Sequence, residues 1–468
     1  MARFYSLLVV LTRYSLLVTV LPRGIPMMKT ASTIMMFILA VLFLGGSPTW
    51  AQVPYWMATP AAHPLMTSPV TGYPIPSLWT QWMAPGTERI KAGPVEVHPF
   101  VGVTEFYNDN IYRNYGGLKK EEDYITTLSP GLQLRLPVRQ HSFQLDYRAD
   151  VSLYAKNNET NYTNQTGGAA VNLDFPGGLL FHLSDYFSDA VVPRYAKEIP
   201  GISGAADPYR ALPYNANNLN TWARYRFLDR WAAEVRYNNF DWRYKNSYDD
   251  SGTWNRSLFG GSLYYRFTPK IDAFVDYSYS VVDYKIGSTN DNYNHSAYLG
   301  LSFDPTAKIY GSLKLGWVQK NYENSEPGRN DTFNSFSGLI DLNYKVSPYH
   351  ILILRATQLI LEDLDTNAPY TIMDFSLGYR HFLIWNPKVN LNATIGYGTK
   401  KFERSTTDVD GSIKTRDDKI GYGGVGIGYA IQTWLSMGLN YFYTADDSNF
   451  KNYDYRQHIV MLNIRAAF

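Results

Sequence analysis

The chain has no cysteine among its 468 residues. That absence excludes disulfides, thiolate catalysis, cysteine-ligated zinc and an acylated-cysteine anchor. Long apolar runs are scarce too. Beyond the first fifty residues no stretch approaches the roughly 18 apolar residues that a membrane-spanning helix needs, so the body of the chain is no helical membrane bundle. Charge of one sign is also missing: Lys+Arg 43 against Asp+Glu 41 leave a formal net charge of +2, without any basic run. Nothing here offers nucleic acid an attractive field. Aromatic residues, by contrast, make up 16% of the chain and include 39 Tyr, while the mean hydropathy is a mildly polar -0.27. A chain of this length that is rich in rings yet polar on average suits one large barrel better than several soluble domains.

The amino end has an export pattern. Met28-Lys29 gives a short basic start and residues 30–46 a mostly apolar core, while Thr49 and Ala51 are small enough for the -3 and -1 positions of a cleavage site before Gln52. Met1 to Pro26 is also apolar, interrupted by Arg3, Arg13 and Arg23, and reads as an over-extended start; the alternative is a membrane anchor built from both stretches. The expected division is residues 1–51 as signal region, 52–94 as a flexible Pro-rich periplasmic lead-in, and 95–468 as a barrel, reached through the general secretion pathway.

From Val95 onward, period-two segments alternate with turns. Strands are expected near 95–108, 123–136, 142–156, 162–175, 178–190, 217–227, 231–245, 254–267, 271–286, 292–303, 308–322, 332–345, 350–363, 369–382, 388–403, 418–430, 434–446 and 454–468. Every second connection is a tight turn, near Pro137, Pro176, Asp229, Pro269, Pro305, Pro348, Pro387 and Gln432. The others are longer and polar, such as Asn108 to Glu122, Val191 to Ala216 and Glu403 to Asp417. Short turns at one rim and long loops at the other are the pattern of an outer-membrane barrel, and an even strand number returns both ends to the periplasm. The expected fold is therefore all-β: a single closed antiparallel transmembrane barrel of about 18 strands.

Facing follows from the same alternation. Phe143, Leu145, Tyr147, Ala149, Val151 and Leu153 share one side of a strand; Gln144, Asp146, Arg148, Asp150 and Ser152 share the other. An Arg or Lys turned to lipid near the midplane costs about 2–4 kcal/mol, so the polar side is expected inward. The candidate pore-lining residues are Arg135, Asp146, Arg148, Asp150, Arg224, Arg226, Glu234, Arg236, Arg266, Asp272, Asp276, Lys314, Arg355, Asp374, Arg380, Asn390 and Asn392. Eighteen strands leave room for an aqueous channel, and a wall of Arg, Asn and Asp suits hydrated, hydroxyl-rich or weakly anionic solutes. The plainer reading of the same residues is mutual neutralisation that keeps a lumen wet. Trp222, Trp231, Trp317, Tyr379 and Tyr443 are expected in the interfacial girdles.

The last strand has Val460, Leu462, Ile464, Ala466 and Phe468 on one face and Gln457, Met461, Asn463, Arg465 and Ala467 on the other. Pairing it with the first strand removes an open edge. Ending on Phe, it resembles the recognition signal of bacterial outer-membrane barrels, with Leu462, Ile464 and Phe468 carrying it; the resemblance implies the barrel-assembly machinery and outer-membrane lipid as partners.

Three segments carry a wider resemblance: Y-N-D-N-I-Y (Tyr107 to Tyr112), D-Y-I-T-T-L-S-P-G-L-Q-L-R-L-P (Asp123 to Pro137) and H-S-F-Q-L-D-Y-R-A-D (His141 to Asp150). They are similar to the opening of an outer-membrane β-barrel porin family whose members are often encoded among exopolysaccharide-synthesis genes. The resemblance implies a conduit for a secreted polysaccharide, with periplasmic export proteins as partners, and brings no catalytic residues with it. Two other functions stay open: a general or small-solute porin, and a plugged adhesion or scaffold barrel whose loop around Val191 to Ala216 binds a partner.

Motifs for chemistry are weak. Gly421, Gly423 and Gly426 satisfy G-x-G-x-x-G, but inside an alternating strand segment and with no helix to follow, so a thinned wall is the better reading than a nucleotide site. Asp408-Val409-Asp410-Gly411 looks like half a calcium loop without its later bidentate Glu, and reads as a hairpin turn. The eight His (63, 98, 141, 182, 295, 350, 381 and 458) form no metal-ligand spacing. His182 with Ser184 and Asp185, or His381 with Asp374, are the only groupings that suggest a rim hydrolase. No enzyme activity, cofactor or metal is expected.

Overall fold

The computed structural model describes residues 90–114, 119–192, 212–245, 252–285, 290–324, 330–363, 368–408, 410–450 and 453–468. The expected signal region, most of the expected lead-in and residues 193–211 of the loop expected around Val191 to Ala216 lie outside the described residues.

Alternating segments separated by turn residues become strands, nineteen among the described residues: β1 (Ile90–Ala92), β2 (Val95–Asn108), β3 (Asp123–Val138), β4 (His141–Tyr154), β5 (Tyr162–Phe175), β6 (Leu179–Val192), β7 (Leu212–Arg226), β8 (Trp231–Tyr244), β9 (Trp254–Thr268) and β10 (Ile271–Tyr284). They continue as β11 (Asn292–Phe303), β12 (Ile309–Tyr322), β13 (Thr332–Ser347), β14 (His350–Asp363), β15 (Ala368–Leu383), β16 (Asn386–Thr407), β17 (Ile413–Ala430), β18 (Leu435–Ser448) and β19 (Tyr455–Ala467). From β2 to β19 each strand pairs antiparallel with the next, and β19 then pairs with β2, from Ile459 opposite Asn108 to Ala467 opposite Phe100. The ring is a closed 18-strand barrel, as the turn pattern leads one to expect. Closure pairs the first barrel strand with the last, so the ring has no open end.

β1 is an addition. It occupies three residues inside the stretch expected to be flexible lead-in, and pairs Ile90 with Val97 through Ala92 with Val95. On that edge of β2, β19 ends at Phe468, whose N–H donates to the carbonyl of Pro99 (3.0 Å). β1 takes up the part of the edge that β19 leaves bare, and His98 Nδ1 lies 3.0 Å from the Phe468 carbonyl oxygen at the join. Phe468 also stacks on Trp434, ring centroids 5.4 Å apart.

The two faces of the wall differ as an alternating pattern demands. Val235 (64%), Leu299 (68%), Leu462 (44%) and Ile464 (46%) are exposed on the outside, whereas Glu234, Asn463 and Arg465 beside them are buried. Leu153 is exposed and its neighbours Ser152 and Tyr154 are buried. Of the expected girdle residues, Trp231, Trp317, Tyr379 and Tyr443 are on the outer parity; Trp231 packs on Tyr265 (4.9 Å), and the Tyr379 hydroxyl meets His350 Nδ1 at 2.6 Å. Trp222 is not a girdle residue. It shares the inner parity of β7 with Arg224 and stacks on His182, so its position near the strand end was misleading.

Two further differences are informative. Glu403 to Asp417, expected as a loop, is instead the upper part of the β16–β17 hairpin, pairing Ser405 with Thr415 through Thr407 with Ile413 past an irregularity after Lys401. Charged residues disguise these strand ends because, projecting beyond the hydrocarbon, they need no apolar face. At the tip, Gly411 takes φ +81 and its N–H donates to the Asp408 carbonyl, while Lys414 Nζ sits 2.8 Å from Asp408 Oδ2. The half calcium motif is a hairpin turn. The connection after β2, expected to be an outer polar loop, turns inward at its start: Ile111 is buried against Phe106, Ile125, Tyr154 and Tyr162.

Candidate functional site: the inner wall

Each residue proposed from the sequence as pore-lining falls on the inner parity of its strand, and the antiparallel register sets Arg224 opposite Glu234, Arg266 opposite Asp272 and Arg380 opposite Asn392. On β3–β6, Asp146 accepts from Gln133 (2.7 Å), Gln144 (2.8 Å) and the Tyr186 hydroxyl (3.0 Å), while Asp150 is bound by Arg148 (2.7 Å) and Ser129 (2.5 Å). Arg135 stands 3.9 Å from Glu96. On β7–β10, Arg224 pairs with Glu234 (2.6 Å), Arg236 with Asp276 (2.5 Å) and Arg266 with Asp272 (2.9 Å), and Ser262 bridges Arg236 and Asp276. Arg226 lies exposed at the short-turn end of β7.

Around the rest of the ring, Lys314 sits over the Tyr298 ring (4.6 Å), Arg355 pairs with Asp341 (3.0 Å), and the Tyr422 hydroxyl donates to Asp374 (2.7 Å). Arg380 donates to Asn392 (3.2 Å), which donates to Asn390 (2.7 Å). Charges drawn out of bulk water need such partners, and the alternation of sign supplies them.

Sequence reasoning missed Asp341 and the inward rings. Asp341 shares the inner parity of β13 with Ser337 and Asn343 and was legible by parity. The rings were not, because an aromatic residue in a barrel strand reads as lipid-facing. Trp222, Phe240, Trp242, Tyr244, Trp254 and Tyr264 all share the inner parity of β7–β9. Inner glycines also have a function in packing. A Cβ at Gly396 would overlap the Tyr422 ring, and one at Gly424 would come 2.8 Å from Phe442. These glycines let a neighbouring ring lie flat along the wall; on β17 that role falls to Gly424, outside the G-x-G-x-x-G triplet, while Gly426 leaves room for the Asn440 side chain.

The two groupings that suggested hydrolysis come apart. His182 contacts Asn172 (2.7 Å) and Ser184 (3.1 Å) on the inside, but Asp185 is on the outer face, bound by Asn217 (2.8 Å). His381 stacks on His350 outside (4.6 Å), across the wall from Asp374.

Just before β3, Glu122 is held by two groups. Lys156 Nζ lies 2.7 Å from Glu122 Oε1, and the Tyr107 hydroxyl donates to Glu122 Oε2 (2.8 Å). Lys156 holds the Glu122 carboxyl below the ordinary glutamate range, and Glu122 in turn raises the Lys156 ammonium.

A closed ring of this size, greasy outside and hydrogen-bonded inside, defines a porin-type barrel of the bacterial outer membrane. The family model described as Putative beta-barrel porin 2 matches residues 86–468, and the chain belongs to that family. Among solved structures it is similar to Pseudomonas aeruginosa OccK2 (OpdF), with 12% identity, a TM-score of 0.45, and coverage of 80% of this chain and 98% of that one. It is also similar to Pseudomonas aeruginosa OpdL (14%, 0.43, covering 80% and 98%) and to the FrpB iron transporter from Neisseria meningitidis, F3-3 variant (8%, 0.42, covering 75% and 62%). Comparison with curated proteins returns no match.

Proposed function

We propose that the protein is a passive conduit through the outer membrane and that its cargo is an exopolysaccharide leaving the cell. The observation that carries the conduit is the inner wall: guanidinium, amide and carboxylate groups from Arg135 round to Asn392 replace, for a hydroxyl-rich solute, the hydrogen bonds it gives up to water. These residues line the conducting path. Leu462, Ile464 and Phe468 serve as the assembly signal, the first two exposed to lipid and the third stacked at the rim. Polysaccharide as cargo is supported by the family resemblance of residues 107–150, and implies periplasmic export proteins as partners.

The test is single-channel conductance of the purified barrel in planar bilayers, with and without the polymer secreted by the same cell. Block by that polymer is the expected result; a barrel that conducts small ions but is never occluded by it sinks the cargo. A specific observation favours a second reading, a small-solute porin. Asn110 and Ile111 are buried at the long-loop end, Ile111 within an inner apolar cluster that includes Phe106, Ile125 and Tyr422, and such packing suits a narrow channel better than a wide one. Gene deletion separates the two: polymer export with lost uptake of a small nutrient selects the second.

A further inference from the structure

On one sector of the inner wall, rings follow one another from the long-loop mouth toward the short turns. At the long-loop end of β7–β9, Tyr214 stacks on Trp242 (3.8 Å, 17°), Trp242 neighbours Phe240 (6.3 Å), and Phe240 neighbours Trp254 (5.2 Å). Tyr214 is buried, but Phe240, Trp242 and Trp254 stay partly uncovered on the inner side. One step toward the short-turn end, the register places Asn218 and Asn220 opposite Phe240 and Asn238, and Asn238 donates to Asn218 (2.7 Å). Below these, Arg236 lies along the wall over Gly260, where a Cβ would come 2.6 Å from its Nε. Opposite Arg236 in the register, Trp222 stacks on His182 (5.5 Å), and further toward the short turns Tyr264 lies under the Arg224 guanidinium (4.2 Å) and beside Phe274 (5.4 Å). Arg266 and Arg226 complete the descent.

Rings and hydrogen-bonding groups are thus interspersed along a single wall from one mouth to the other, Phe240 opposite Asn218 and Trp222 opposite Arg236. A sugar ring has an apolar C–H face, which lies well on an aromatic plane, and a rim of hydroxyls, which need donors and acceptors at its edge. A stacked ring followed by amides and guanidinium, repeated, fits a chain of such units better than a compact ion. Charge narrows the class. The arginines of this wall (Arg224, Arg226, Arg236, Arg256 and Arg266) outnumber its carboxylates (Glu234, Asp272 and Asp276), so carboxylate-bearing units are favoured over neutral ones.

We propose that the β7–β10 inner wall is a translocation track for an acidic glycan, with Trp254, Trp242, Phe240, Trp222 and Tyr264 as stacking platforms and Arg226 among the groups that select carboxylate. The proposal rests on the polysaccharide reading above and adds the sector and the acidic character of the polymer.

The experiment is current block of the full-length barrel in planar bilayers by a galacturonate hexamer and by a neutral glucose hexamer. The galacturonate hexamer is expected to reside longer in the wild-type channel. Trp254→Leu is expected to shorten that residence about three- to tenfold, the worth of one aromatic stacking partner. Arg226→Gln, at an exposed position where folding is not at stake, is expected to shrink the difference between the two hexamers. Tyr310→Leu, an inner ring on β12 outside the track, is expected to change neither. Equal effects of Trp254→Leu and Tyr310→Leu, or no effect of Trp254→Leu while the wild type is blocked, would overturn the track and leave the conduit standing. Longer block by the neutral hexamer would overturn the acidic assignment. A wild-type channel that neither hexamer blocks would overturn the polysaccharide reading and the track together.

Discussion

Asp146 and Leu145 are adjacent in the chain and face two different solvents. Asp146 receives three side-chain hydrogen bonds from three strands, whereas Leu145 has none to offer and belongs to the parity that meets lipid. Leu145→Arg should therefore lower barrel stability by about 2–4 kcal/mol if the position is near the midplane, while Arg placed at Gln144 should cost far less. Urea titration of the barrel folded into vesicles reads the difference, and equal costs would contradict the facing. On the inner side, Glu234 lies between Arg224 and Arg236, 2.6 Å and 3.7 Å away. Glu234→Gln removes the carboxylate and leaves both cations, so the reversal potential in a salt gradient should move toward anion selectivity; an unchanged reversal potential would show that this wall does not face the ion path.

At the scale of elements, the first connection shows what alternation alone does not reveal. Asn110 donates to the carbonyls of Asn114 (3.0 Å) and Arg456 (3.2 Å) and accepts from the Asn114 N–H (2.8 Å), while Gln457 donates to Asn108 and to the Asn110 carbonyl. These contacts explain the asparagines of Y-N-D-N-I-Y: they tie the loop to β19 across the barrel's closing seam and let Ile111 drop inward. Asn110→Ala loses this anchor. About 1–3 kcal/mol of local stability should go with it, read as faster hydrogen exchange of residues 110–114 without loss of the ring. The far end of that loop is held by charge. Because the Glu122 carboxyl titrates below its ordinary value when folded, the Glu122–Lys156 contact stabilises above the unfolded glutamate value and is lost as pH falls through the lowered one. Protease nicking after β2 should rise below about pH 4, and Lys156→Met should remove most of that dependence. Nicking that is flat with pH in the wild type would exclude the ion pair as a latch.

For the whole molecule, ring closure and strand number were readable in the sequence because a two-residue period, tight turns at every second connection and a final strand with one greasy face are local signals of one global shape. The inward placement of Asp146, Arg148, Arg236 and Asn392 was readable for the same reason. What was not readable has physical causes. β1 is too short to show a period. The charged ends of β16 and β17 project past the hydrocarbon and so imitate a loop. Trp222 looked interfacial because composition does not distinguish a ring that meets lipid from one that lies over an inner neighbour. The inward turn at Ile111 depends on contacts with Arg456 and Gln457, almost the whole chain away.

The absence of cysteine allows the most direct measurement, since a single introduced thiol is unambiguous. Spin labels placed one at a time from Gln144 to Asp150, in the barrel reconstituted in lipid vesicles, would be scored for relaxation by oxygen, which concentrates in hydrocarbon, and by a water-soluble nickel chelate. Labels at 145, 147 and 149 should respond to oxygen, and labels at 144, 146, 148 and 150 to nickel, with a strict period of two. The opposite phase, or no alternation, would contradict a wall shared between lipid and water.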